Sequence, residues 1–149
     1  MAIQFHHTID HHQLLYVDAL PVAVTGAKVR VIPRDPLRMY ALDGDMIMAY
    51  IEYTRHGQRI DIKWVANWGI ACGHDGLDGM LLRHACSVWD DELVLNVYAN
   101  VTLRKEDPTW LFASQANLLY DHGFAMKYWA RGDDGEIVHR MNRKNRNVN

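Results

Sequence analysis

Cysteine is scarce in this sequence. The two present, Cys72 and Cys86, stand fourteen residues apart, which excludes a disulfide-built scaffold and matches no zinc-binding spacing. Both read as reduced, structural thiols. Long apolar runs are missing too: no window approaches the roughly 18 apolar residues of a membrane-spanning helix. Residues Met1 to Asp10 have neither the basic start nor the apolar centre of a signal peptide, so a cytoplasmic protein without membrane attachment is expected. Neither sign of charge prevails. A net charge of −2 speaks against bulk nucleic-acid binding, whose affinity comes from neutralising phosphates with Lys and Arg. Repeats, low-complexity stretches and linkers are absent, and residues 1–149 read as one domain, long enough to bury about two-thirds of its unfolded surface.

What is present is a chain of 49% hydrophobic and 23% charged residues, ordinary for a globular protein. Ala2 to His7 suggests a first strand. Thr8 then caps a helix with Leu14, Leu15, Val17 and Leu20 on one face, and Pro21 ends it. His6, His7, His11 and His12 lack a carboxylate or cysteine in a ligand pattern, so they read as polar surface and no metal is expected. Val22 to Pro36 is mixed and reads largely as loop. Leu37 to Arg55 reads as two strands joined at Asp43-Gly44, and after a turn at His56-Gly57 a third strand runs from Arg59 to Ala66.

Gly73, Gly76 and Gly79 follow at every third position, ahead of a helix whose Leu77, Leu81, Leu82, Ala85 and Val88 share one face. A strand, a glycine-spaced turn and a helix form a common cradle for phosphate, because glycine lets backbone approach a ligand at which the helix points unpaired N–H groups. A pyrophosphate-bearing cofactor and a purely structural turn both account for the spacing. Beyond it, Glu92 to Tyr98 reads as a central strand, and Asp107-Pro108 as the cap and first-turn proline of a helix running to about His122 and closed by Gly123. Phe124 to Ala130 and Glu136 to Met141 read as strands around a Gly132–Gly135 turn. Arg140, Arg143, Lys144 and Arg146 read as a solvated basic tail, or less commonly an anion-binding arm.

Three stretches, in this order and spacing, resemble the GNAT superfamily of N-acetyltransferases between Leu37 and Met141. Asp61-Ile-Lys-Trp-Val-Ala66 is similar to the family's fourth strand, and Gly76-Leu-Asp-Gly-Met-Leu-Leu82 to its acetyl-CoA pyrophosphate loop and helix. Ala116-Asn-Leu-Leu-Tyr-Asp-His-Gly-Phe124 is similar to its A-x-x-L-Y-x-x-G-F helix end. The resemblance implies an α+β fold with a central mixed, mostly antiparallel sheet flanked by helices, and a strand after the glycine helix that lies parallel to the fourth strand. The chain departs from the family at Gly73, where Arg or Gln is usual, at Asp78, where a second small residue is usual, and at Ala113, where Asn is frequent. A carboxylate about 4 Å from a phosphate costs roughly 4 kcal/mol at an effective dielectric near 20.

What the resemblance implies for chemistry is direct acyl transfer from acetyl-CoA to an amine of a small molecule or protein. Asp61 matches a strand position from which family members project a carboxylate base, and Glu52 is its alternate. Tyr120 matches the tyrosine that meets the cofactor sulfur. Backbone N–H groups near Ala66 and Asn67 are the implied oxyanion donors. Gly73, His74, Gly76, Leu77, Asp78 and Gly79 are the implied phosphate contacts, with Trp64 and Trp68 beside the path. Asp78 keeps a second reading open: a GNAT-fold effector or inhibitor with a degenerate cofactor site that binds a protein partner, of the kind encoded by phage. Oligomeric state, including a homodimer, is open.

Overall fold

The computed structural model describes residues 3–6, 37–44, 46–67 and 76–147. The helix expected behind Thr8, His7, His11 and His12, the Val22–Pro36 segment, and Trp68, Cys72, Gly73 and His74 lie outside the described residues. Strand β1 (Ile3–His6) pairs antiparallel with β2 (Leu37–Asp43), which continues through the Asp43-Gly44 hairpin into β3 (Met46–His56) and through the Gly57 turn into β4 (Arg59–Asn67). Helix α1 (Leu77–Asp91) leads to β5 (Asn96–Leu103), which lies parallel to β4. Helix α2 (Thr109–Tyr120) precedes the hairpin of β6 (Ala125–Arg131) and β7 (Ile137–Lys144). The seven strands form one mixed sheet in the order β1-β2-β3-β4-β5-β7-β6. The expected α+β architecture, with its meander and parallel β4–β5 neighbours, is the one observed.

Both helices sit on the same face of the sheet. The periodic residues Leu77, Leu81, Leu82 and Ala85 of α1, joined by Cys86 and Trp89, pack on Met39, Ile51, Ile60, Val97, Ala99 and Met141 from the strands. Leu81 and Leu82 are fully buried, and each such side chain contributes about 1.5–3 kcal/mol of burial. The Trp89 ring meets Tyr53 edge to face at 5.1 Å. Cys86 is buried, and that burial pushes its thiol up to about 11, as a structural cysteine requires.

Four expectations differ from the structure. Glu92 to Leu95 is the exit from α1, and the strand starts at Asn96; the helix extends to Asp91 because Trp89 and Asp90 are both buried at its end. Glu92 caps the helix, Leu93 takes a left-handed φ of 60°, and the Val94 amide donates back to the Trp89 carbonyl at 2.9 Å. Asp107 does not cap α2: its carboxylate accepts from the Arg104 amide at 3.3 Å, and Pro108 itself is the cap residue. The helix ends at Tyr120, two residues early, as Gly123 adopts a φ of 89° and the Phe124 amide donates to the Leu119 carbonyl at 3.1 Å.

The fourth difference is the supposed basic tail. Those residues are β7 and its exit, because alternation sends Met141 and Arg143 to the helix side and Arg140 to the other. Arg143 is 5% exposed and grips Asp90 with two bonds of 2.8 Å, while its Nε donates to the His122 carbonyl at 3.2 Å. The buried Asn145 amide donates to the carbonyls of Asp90 and Val94, and its backbone N–H to that of Leu95.

Two stability predictions follow from the end of α1. Asp90→Asn leaves the buried Arg143 charge uncompensated and should cost about 3 kcal/mol by urea denaturation at neutral pH. The hydrogen bonds from Arg143, outweighing burial, hold the Asp90 carboxyl below its ordinary range. A depressed folded pKa stabilises above the unfolded value of about 4 and ceases to do so as pH falls through the folded one, so native and variant should converge in strong acid. Leu93→Gly relieves a left-handed strain of about 1–2 kcal/mol against a glycine entropy cost of about 0.4–1 kcal/mol, and should raise Tm by about 2 °C.

Candidate active site

The sheet divides in its middle. Strand β4 pairs with β3 along its whole length, to Ala49↔Asn67, and β5 pairs with β7 along its whole length, from Asn96↔Lys144 to Leu103↔Ile137. Between β4 and β5, however, the ladder runs only from Arg59↔Asn96 to Ile62↔Ala99. The split starts at a β-bulge: Glu52 stands opposite Trp64 and Tyr53 opposite Ile62, so Lys63 is the extra residue of β4. A bulge bends its strand and sharpens the local twist, which carries the rest of β4 away from β5. From Lys63 to Asn67, β4 has no ladder with β5, and backbone polar groups directed into that gap need partners from outside the sheet. Ala66 and Asn67 lie on this free stretch.

Helix α1 begins beyond the same end of β4. Gly76 holds the left-handed conformation at φ 79°, no described residue lies within 4 Å of where its Cβ would be, and no side chain caps the helix from that position. The first helical bond is Met80 N–H to the Gly76 carbonyl at 3.0 Å. Asp78 turns its carboxylate onto the Gly79 amide at 2.8 Å. Gly79 faces the end of α2: a Cβ there would stand in ordinary contact with His122, at 3.4 Å, and with Leu118, at 3.8 Å. The backbone amides in the first turn of α1 are of the kind that hold an anionic group such as a cofactor phosphate, provided that Asp78 rotates off the Gly79 amide. Leu77 is buried and serves the core.

The three residues expected to carry catalysis come from different layers. Glu52 and Asp61 project from the sheet face opposite the helices, as the core positions Ile51, Ile60 and Ile62 beside them show, whereas Tyr120 ends α2 on the helix face. Glu52 is 4% exposed, lies 3.4 Å from Arg38, and stands in register with Trp64 at the start of the split. Tyr120 is half-exposed at 47%. Asp61 accepts two bonds from Arg59, at 3.0 and 3.3 Å, and one from Arg140. Burial works to raise its pKa, but these bonds and the two guanidinium charges outweigh it and hold the carboxyl below its ordinary range. A carboxylate held this way is a weak proton acceptor.

Sequence reasoning missed the cationic side of this arrangement. The guanidiniums of Arg59 and Arg140 lie 4.5 and 4.7 Å from the centre of the Tyr98 ring, and the Lys127 ammonium lies 5.1 Å from it. The period-2 pattern of β4, β5 and β7 puts Asp61, Tyr98 and Arg140 on one face, and was the available signal; the identity of the neighbouring strands was not. Asp134 of the Gly132–Gly135 turn lines a cleft of about 340 Å³ with Thr102, Arg104, Lys105 and Glu106. Among the described residues no helix is long and apolar enough to cross a membrane.

No protein-family model matches the sequence, and no curated protein does. Solved structures do. An acetyltransferase of the GNAT family from Streptococcus pneumoniae is 14% identical with a TM-score of 0.73, over 96% of this chain and 99% of that one. Nourseothricin acetyltransferase is 15% identical with a TM-score of 0.68, over 97% and 99%. The PaiA N-acetyltransferase from Thermoplasma acidophilum, solved in complex with coenzyme A, is 10% identical with a TM-score of 0.64, over 97% and 99%. Together with the split between β4 and β5 and the glycine-led helix beside it, these matches identify the chain as a sequence-divergent example of the GNAT fold.

Proposed function

We propose that this chain is a cytoplasmic member of the GNAT superfamily that transfers an acetyl group from acetyl-CoA directly to an amine of a small molecule or protein. The observation that carries this reading is the split that opens at the Lys63 bulge, since a sheet interior is otherwise fully paired and a gap in it is a site for an extended ligand. Bound acetyl-CoA would supply an electrophilic thioester and a thiolate leaving group. The chain supplies the rest. Backbone N–H groups near Ala66 and Asn67 stabilise negative charge at a carbonyl oxygen. Glu52, in register with Trp64 on the free stretch, takes the amine proton directly or through water; Asp61, pinned by two arginines, holds them in place. The Tyr120 hydroxyl is the proton donor for the departing sulfur. The α1 N-terminus, with Gly76 and Gly79, meets the pyrophosphate once Asp78 has turned away.

One observation favours a second reading. The Asp78 carboxylate already occupies a helix-terminal amide, as in a site that no longer takes a phosphate, and the protein would then act by binding a protein partner.

Calorimetric titration of CoA separates the two. The native chain should bind, and Asp78→Asn should tighten binding about fivefold, roughly 1 kcal/mol after solvent screening, by removing a like charge. Binding only by the variant would favour the partner-binding reading, and binding by neither would sink the cofactor assignment. In turnover, Tyr120→Phe should lower kcat with CoA affinity unchanged, and Glu52→Gln should lower kcat across the pH range. Equal rates for Tyr120→Phe would return that residue to a packing role.

A further inference from the structure

The face of the sheet away from the helices carries a concentration of positive charge that folding alone does not call for. Arg59 from β4, Lys127 from β6 and Arg140 from β7 converge within 5.1 Å of the ring centre of Tyr98 on β5. Asp61 is the carboxylate that they share, through Arg59 and Arg140. The Lys127 ammonium donates to the Tyr98 hydroxyl at 3.4 Å, and the other Arg140 bond goes to neutral Asn100. Three cations against one carboxylate leave a local excess of two positive charges in a chain whose net charge is −2. The ring face offsets part of this through its quadrupole, yet three cations around one ring still repel each other, and an arriving anion relieves that repulsion.

The cluster is open to a ligand. The Arg59 side chain is 51% exposed, and Tyr128, at 56%, stands within electrostatic reach of it on the edge strand β6. Arginine forks match carboxylate and phosphate geometry, and a flanking ammonium adds a point charge. Its position is equally specific. The pair Asp61↔Tyr98 is one rung before the last paired rung, Ile62↔Ala99, so the cluster ends where the split begins. Asp61 precedes the Lys63 bulge by two residues, about 7 Å at the usual strand rise. An anion seated on Arg59 and Lys127 therefore holds the remainder of a small molecule over the opening, on the face opposite the α1 terminus.

We propose that the Arg59–Lys127–Arg140 cluster around Tyr98 anchors an oxyanion of the acceptor, so that the amine acetylated is an acidic one carrying a carboxylate or phosphate within about 7 Å of its nitrogen. The word acceptor rests on the acyltransferase reading; the anion site does not. Cationic acceptors such as polyamines are disfavoured by the same charges.

The test has a binding arm without cofactor and a turnover arm with it. Glutamate (a carboxylate source), O-phosphoethanolamine (a phosphate source), ethanolamine and spermidine are titrated into the full chain while backbone amide shifts are followed by NMR, then compared as acceptors by thiol release from acetyl-CoA. Glutamate or O-phosphoethanolamine should shift the amides of Arg59, Tyr98 and Lys127. The Arg59→Gln/Lys127→Gln double variant, in which Asp61 keeps Arg140, should weaken that binding and raise KM for the acidic amine at least tenfold, with CoA affinity unchanged. If the acidic amines bind in this way but no amine is acetylated, the anion site stands and the acyltransferase reading falls. If ethanolamine or spermidine is the better acceptor and the double variant changes nothing, the enzyme stands and the acidic-acceptor proposal is overturned. Absence of both binding and turnover with the acidic amines also overturns it.

Discussion

The constraint on which the site depends is that two interior strands are each committed elsewhere. β4 belongs to β3 from Arg59 to Asn67 and β5 belongs to β7 from Asn96 to Leu103, so the two can part without either losing its regular partner. One extra residue, Lys63, supplies the bend. Without it β4 would continue beside β5, and the interior of the sheet would be closed. The gap thus needs no loose chain: it is bordered on both sides by complete ladders.

A second constraint holds the helix layer to this divided sheet. Helix α1 packs its apolar stripe on strands from β2 to β7, and its last turn is fastened by the bidentate Asp90–Arg143 pair. A buried ion pair is expensive to desolvate and adds little net stability compared with an apolar substitute, but breaking it is costly. Its value lies in direction. Arg143 also donates to the His122 carbonyl at the end of α2, so one guanidinium ties together the C-terminal turns of both helices. Gly79 stands at the other end of α1, where its first turn meets Leu118 and His122.

Much of this was legible in the residues. The hairpins at Asp43-Gly44 and His56-Gly57, the apolar stripe of α1 and the A-x-x-L-Y-x-x-G-F helix end announce themselves through local chemistry, and the fold is the one they imply. What stayed hidden is non-local. The Lys63 bulge breaks no alternation that sequence displays. The apolar run around Leu93 and Val94 suits a strand as well as a helix exit, and the decision is made by Trp89 and Asp90 finding partners elsewhere. Arg140 and Arg143 look alike in a basic run, yet one faces Tyr98 and the other the core. For the site, Asp61 and Glu52 were legible as carboxylates on strands, whereas the hold of Arg140 on Asp61 was not, because Arg140 comes from β7, a strand whose place in the sheet only the topology defines.

The strand order has a consequence for synthesis. β7 is the last of the elements along the chain, yet it lies in the interior of the sheet, between β5 and β6. As the polypeptide leaves the ribosome, β6 emerges with no strand to join, and its Met126, Tyr128 and Trp129 remain uncovered edge residues even in the finished sheet. The Asp90 carboxylate is likewise buried without its guanidinium until Arg143 follows. The N-terminal hairpins can pair as soon as they emerge, whereas the half of the sheet around β5 cannot be completed until β7 has followed.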